Sequence, residues 1–188
     1  MPRDLGDLDA RAASLNDRYR HHSATAVLER ALHDADVGQL ALVSSFGAES
    51  VVLLHLVSVI APHTPVLFID TQMLFPETLA YQRELAEKLN LTDIRMIRAD
   101  RRETDFEDPD GTLHQFSTDA CCHLRKVVPL ERALSGFDGW ITGRKRFQAT
   151  TRAALDFFEN EDGKRLKVNP LAHWGREDLE DYIVNNRL

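Results

Sequence analysis

The chain has 188 residues, 43% hydrophobic and 28% charged, the balance of an ordinary globular protein long enough to bury one sizeable core. Its formal net charge of −7 argues against a general nucleic-acid-binding surface but leaves room for a small anionic ligand, because local charge governs a pocket. The opening Met1 to Asp7 is too polar for a secretory leader, and the longest apolar stretch, Val51 to Ala61, is interrupted by His55 and Ser58 and is short of a bilayer span, so the expectation is a cytoplasmic protein with neither nucleic acid nor membrane as partner.

Residues 1–24 read as an N-terminal extension and 25–188 as one domain. Ala24 to Asp36 has helical spacing, with Val27, Leu28, Ala31 and Leu32 as its buried stripe, and Gly38 ends it. Gln39 to Val43 reads as a buried strand, followed by Ser44-Ser45-Phe46-Gly47-Ala48-Glu49-Ser50 and a helix from about Ser50 to Ile60. Pro65 to Asp70 is a second strand. Pro76 opens a helix to about Leu89, with Glu77 well placed in its first turn. Ile94 to Ala99 resembles a third strand, and the acidic stretch from Asp100 through Asp108-Pro109-Asp110-Gly111 reads as a turn-rich loop. A helix from about Thr118 to Leu134 carries Cys121 and Cys122 near its start. Trp140 to Gly143 is a fourth strand, Leu166 to Val168 a candidate fifth, and Arg176 to Asn186 a last helix. Strands alternating with helices imply an α/β fold, a mainly parallel sheet with helices on both faces, and such sheets bind ligands at the carboxyl ends of their strands.

Four segments carry candidate chemistry, each with a plain alternative. In the loop after the first strand, Ser44, Ser45 and Gly47 allow a tight curl that aims helix N–H groups at an anion, and an ordinary strand-to-helix turn would look the same. Asp70-Thr71 ends a strand and could meet a base or ribose, while Pro76-Glu77 is also simple helix-start chemistry. Cys121-Cys122 is a pair that a relaxed disulfide bridges poorly but that suits two thiolates on one metal centre; buried structural cysteines are the alternative, and zinc spacing is lacking. Lys126, one turn after Cys122, could bring positive charge to the same place. Finally Gly143 permits close approach of a ligand to backbone, and Arg144, Lys145, Arg146 and Arg152 suit phosphate or sulfate oxygens, or form a solvated basic loop.

Taken together, Ser-Ser-Phe-Gly-Ala-Glu-Ser, Asp70-Thr71 with Phe75-Pro-Glu-Thr78, Cys-Cys-x-x-Arg-Lys, Trp140-Ile-Thr-Gly-Arg-Lys-Arg-Phe-Gln with Thr151-Arg152, and Val168-Asn-Pro-Leu-Ala-His-Trp174 resemble the assimilatory adenylyl-sulfate/phosphoadenylyl-sulfate reductase family. The likeness runs from about residue 25 to the end. It implies an adenine-nucleotide α-hydrolase-like, Rossmann-like three-layer fold, and makes 25–188 a sulfonucleotide-binding reductase domain. By the resemblance Ser44, Ser45, Phe46, Gly47, Asp70, Thr71, Gly143, Arg144, Arg146 and Arg152 would hold the nucleotide and its phosphosulfate. Cys121 and Cys122 would supply two of the four ligands of a 4Fe-4S cluster, and Lys126 would lie between cluster and substrate. The Cys-Cys pair is the mark of the iron–sulfur branch, whose usual substrate is adenosine 5'-phosphosulfate rather than the 3'-phosphorylated form. A cysteine thiolate would attack the sulfur, expel AMP and leave an S-sulfonated cysteine, from which thioredoxin or glutaredoxin releases sulfite for cysteine biosynthesis; a homo-oligomer is also allowed.

Two elements of the family pattern are missing: the downstream Cys-x-x-Cys and the nucleophilic cysteine of a Glu-Cys-Gly-x-His tail. The chain stops at Leu188 in mid-pattern, so a missing tail, binding without turnover and an unstable or absent cluster are the expectations. Alternatives are a phosphoadenylyl-sulfate reductase, a non-catalytic nucleotide-binding module, and an ATP pyrophosphatase-like adenylyltransferase, whose Ser-Gly-Gly-x-Asp-Ser loop is broken here by Phe46, Ala48 and Glu49.

Overall fold

A computed structural model describes residues 7–149 and 154–188. Six strands form one sheet: β1 (Leu40–Ser44), β2 (Val66–Ile69), β3 (Ile94–Ile97), β4 (Gly139–Ile141), β5 (Phe158–Glu161) and β6 (Arg165–Val168), in spatial order β3-β2-β1-β4-β6-β5. All neighbours are parallel except the β5–β6 hairpin. Side chains alternate between the two faces. Leu42, Val66, Phe68 and Ile141 enter a large core with α2 (Ala24–His33), α3 (Ser50–Ile60) and α9 (Arg176–Asn186), whereas Ala41 and Leu67 pack with Leu134 of α8 (Val128–Leu134) on the other side. The expected α/β architecture, a mainly parallel sheet covered on both faces, is therefore present. The first strand-end loop, the end of β2 and the segment after β4 all emerge from one edge, since Ser44 pairs with Phe68 and Leu42 with Ile141.

Four features depart from the sequence reading. Residues 8–19 form a helix, α1 (Leu8–Tyr19), capped by the Asp7 carboxylate, with Leu8, Ala12, Leu15 and Tyr19 joining the same core as α2 and α3; packing shows no break at residue 24. A strand, β5, lies where none was expected, joined to β6 by a type I′ turn in which Asp162 (φ 51°) and Gly163 (φ 70°) are left-handed and Lys164 N–H bonds Glu161 C=O. The acidic stretch is not all loop: Arg101–Glu107 is helical, α5, because Asp100 caps it by accepting from Arg102 N–H. The long helix over 118–134 divides into α7 (Thr118–Cys122), a π turn (His123–Val127) and α8. Pro129 has no N–H for the carbonyl of Arg125, so the ladder shifts to longer bonds such as Val128 N–H to His123 C=O.

Asn16 of α1 treats edge strand β5 as a further strand would: its amide donates to Phe158 C=O at 2.8 Å and accepts from Phe158 N–H at 2.9 Å. Asn16→Ala should cost about 1–2 kcal/mol of stability in urea unfolding, with the loss felt first as detachment of α1. An unchanged midpoint would show that the edge is satisfied by water equally well.

Candidate active site

Two concavities sit side by side at this edge. The first, about 440 Å³, lies between the ends of β1 and β4 and is lined by Ser44, Ser45, Gly47, Glu49, Ser50, Gly143, Arg144, Lys145 and Gln148 among others. Its shape starts at Phe46. That residue is left-handed (φ 53°), its N–H bonds the Ser44 hydroxyl at 3.1 Å, and its ring turns down against Phe68 at 5.2 Å between centroids. Phe46, 2% exposed, thus anchors the loop from the core. The chain then enters α3 with no side-chain cap and no acidic residue within the first turn; Ser50 N–H donates to Gly47 C=O at 2.8 Å, and the N–H groups that follow it carry no side-chain partner. An added side-chain carbon at Gly143 would meet only a Leu53 methyl at 3.8 Å, so the fold itself makes no demand for glycine there.

The cations of this cleft are disposed otherwise than the sequence suggests. Arg144 lines it, but its guanidinium is tied to Glu159 at 2.8 Å. Arg146 turns away and donates to Leu155 C=O at 2.7 Å and to Asp156 at 3.3 Å. Arg152, with Thr151, lies outside the described residues. The buried cation is Lys145, which sequence reasoning placed in the basic run without singling out; it forms an ion pair with Glu49 at 2.7 Å. Its only sequence signal was membership of the Gly-Arg-Lys-Arg run. Asn169, fully buried, stands behind the cleft: it accepts from the Thr142 hydroxyl at 2.7 Å and donates to Asp156 C=O and to Glu159, which in turn holds Arg144.

The second concavity, about 490 Å³, is lined by Thr71, Met73, His114, Thr118, Cys121, Cys122, Arg125 and Lys126. Both thiols are free, Cys121 buried and Cys122 half-buried, and Lys126 is exposed on the same wall. Thr118, Cys121, Cys122, Arg125 and Lys126 follow helical i, i+3, i+4 spacing and so share the face that lines this cavity. Beside them Arg125 is buried; it donates twice to one oxygen of Asp108, at 2.7 and 3.2 Å, and once to Thr71 C=O at 3.0 Å. Hydrogen bonding from Arg125, then from the backbone of Leu113, holds the Asp108 carboxyl below the usual carboxylate range. Asp70 is buried, and its oxygens accept from Gln72 N–H and Arg98, each at 2.8 Å, and fix the chain reversal through Gln72 (φ 61°). Thr71 is the residue of the pair that reaches the cavity.

Two neighbouring thiols opening into one cavity fit as half of a four-thiolate set. Among the described residues no group of three or more Cys, His, Asp or Glu converges to hold a metal, and the sequence holds only these two cysteines. No described helix is long and apolar enough to cross a membrane.

A helix start without a side-chain cap, a buried cation and a thiol-lined cavity, all at the carboxyl edge of a parallel sheet, define an α/β domain with a candidate anion cleft and two free thiols at that edge. Residues 39–188 match the model of the phosphoadenosine phosphosulfate reductase domain, and the chain belongs to that family. It is 46% identical over 183 residues to an adenosine 5'-phosphosulfate reductase of Mesorhizobium japonicum, covering 95% of this chain and 72% of that one. A second relative of the same name, from a Chelativorans species, is 41% identical over 183 residues, with 97% of this chain and 74% of the relative covered. Among solved structures, a phosphoadenylyl-sulfate reductase from Candida auris in a phosphate complex superimposes with a TM-score of 0.80 at 26% identity, over 100% of this chain and 90% of that one.

Proposed function

We propose that this domain binds adenosine 5'-phosphosulfate for its reduction to sulfite and AMP in sulfate assimilation. The observation that carries the reading is the juxtaposition of the two concavities. β1 and β2 are adjacent parallel strands, about 4.8 Å apart, so the anion cleft after Ser44 and the thiol cavity at Thr71 flank one strand junction. A nucleotide could lie across that junction with its anhydride between Lys145 and Lys126. The names of the relatives at 46% and 41% identity support the same substrate.

In this reading a thiolate attacks the sulfur, the sulfur–oxygen bond to AMP breaks, and the thiolate sulfur keeps the sulfonate. A dithiol partner of the thioredoxin or glutaredoxin type then supplies two electrons and frees sulfite. Charge builds on the departing phosphate, and the α3 N-terminus and Lys145 are placed to receive it; Lys126 serves the side nearer the thiols. Cys121 and Cys122 would supply two of the ligands of a 4Fe-4S cluster, which when bound would bring iron–sulfide charge next to Lys126. Neither cysteine is then free to be the nucleophile, so the 188 residues alone should bind without turning over.

Titration of this chain with adenosine 5'-phosphosulfate and with its 3'-phosphorylated form tests the reading. Tighter binding of the former and no sulfite release with thioredoxin present are expected; absence of affinity for both nucleotides would sink it. Iron and acid-labile sulfide well below four per chain are expected on the same sample. A preference for the 3'-phosphorylated nucleotide would instead place the chain with the Candida auris enzyme it resembles in structure.

A further inference from the structure

We infer that Glu49 is an internal stand-in for the ligand's anionic group, holding Lys145 in the empty cleft and competing with the ligand for it. The inference rests on the reading of the cleft as the anion site. Lys145 is the inner member of the pair, with a side chain 3% exposed, and Glu49 the outer one at 49%. An ion pair that merely decorates a surface has both long side chains reaching into water; here the ammonium is fixed inside and only the carboxylate can leave.

Lys145 Nζ donates to Glu49 Oε2 at 2.7 Å, and Gln148 Nε2 donates to the same oxygen at 3.2 Å. One carboxylate oxygen therefore accepts from two donors within the cleft, as a phosphate or sulfate oxygen would. The position is set by local structure. Glu49 is the residue immediately before α3, in helical conformation, and its side chain makes no cap to the helix; it crosses to the β4 side instead. The first hydrogen bond holding its carboxyl below the usual range is that from Lys145, opposed by desolvation, with Gln148 and the charge of Arg176 adding to it. Arg144, the other cation lining the cleft among the described residues, faces Glu159. A ligand anion must then displace the Glu49 carboxylate from Lys145 or settle beside it, and either course weakens binding. The same competition favours release, because the ion pair re-forms as the anion leaves. Glu49 is in this sense a positioning residue whose charge opposes affinity.

The test is AMP and inorganic phosphate binding at low salt by the 188-residue chain and by Glu49→Gln, which keeps the shape and an acceptor oxygen for Lys145. The variant should bind both anions about fivefold more tightly, the factor set by a partly exposed ion pair, while adenosine binds both proteins alike. Glu49→Ala should move in the same direction, which guards against a fold specific to one variant. In a Lys145→Gln background the gain from Glu49→Gln should vanish. Equal or weaker anion binding by both Glu49 variants, with the unaltered chain binding AMP, would overturn the inference and leave the site reading intact. If no protein in the set binds AMP or phosphate, the site reading falls and this inference with it.

Discussion

Arg125→Met should lower the melting temperature by roughly 6–12 °C. Arg125 and Asp108 are both buried, with side chains 7% and 2% exposed, and the methionine would leave the Asp108 carboxylate without its main partner. Its other oxygen would still accept from Leu113 N–H at 2.8 Å, but that bond alone does not offset the loss of two guanidinium donors. The damage should also spread to the thiol cavity. Arg125 ties the π turn to Asp108 at the end of α5 and to Thr71 after β2, so its removal frees the segment carrying Cys121, Cys122 and Lys126.

The pH dependence has a definite sign. Asp108 titrates lower in the folded chain than its ordinary value, so its contribution is complete above the ordinary carboxylate range and is lost as pH falls through the depressed folded value. Thermal melts across the acid range should show this loss for the unaltered chain, with a reduced or absent counterpart in Arg125→Met. Melting temperature and acid sensitivity unchanged by the substitution would mean that the pair contributes nothing net.

Asn169→Ala should destabilise the domain by about 3 kcal/mol and loosen the anion cleft together with the core. Asn169 is fully buried and its side chain serves three partners: the Thr142 hydroxyl, Asp156 C=O and Glu159. Alanine removes the partner of the buried Thr142 hydroxyl, takes a donor from Asp156 C=O and leaves Glu159 with Arg144 alone. Thr142 also accepts from Arg144 N–H at 3.2 Å, and Glu159 holds the Arg144 guanidinium, so the backbone and the side chain of Arg144 both lose support. Urea unfolding gives the stability change, and AMP titration under folded conditions should show severalfold weaker binding. Full affinity in a destabilised variant would separate Asn169 from the cleft and confine it to the fold.

Most of the sheet was legible because its strands are buried on both sides and read as short apolar runs between turn signals. Val66–Ile69 and Leu40–Ser44 fall within or one residue beyond their expected spans. β5 was missed because it is an edge strand, Phe-Glu-Asn-Glu, whose polar residues read as loop; its one clear signal was the Asp162-Gly163 turn. α1 was passed over although Leu8, Ala12, Leu15 and Tyr19 carry helical spacing, since its apolar stripe has meaning only against β5 and β6.

For the candidate site, sequence by itself determined which segments line the two concavities: the loops after β1, β2 and β4, and the cysteine pair with Lys126. The turn residues and the strand-to-helix order are local properties, and parallel topology sends those loops to one edge whatever the packing behind them. Only the tertiary structure decided which side chains in those loops are available. Phe46, Asp70 and Arg146 are consumed by the core and the backbone, Arg144 is held by Glu159, and Lys145 is turned inward against Glu49. Such choices depend on partners 9 to 96 residues away in the chain, whose placement no local pattern encodes.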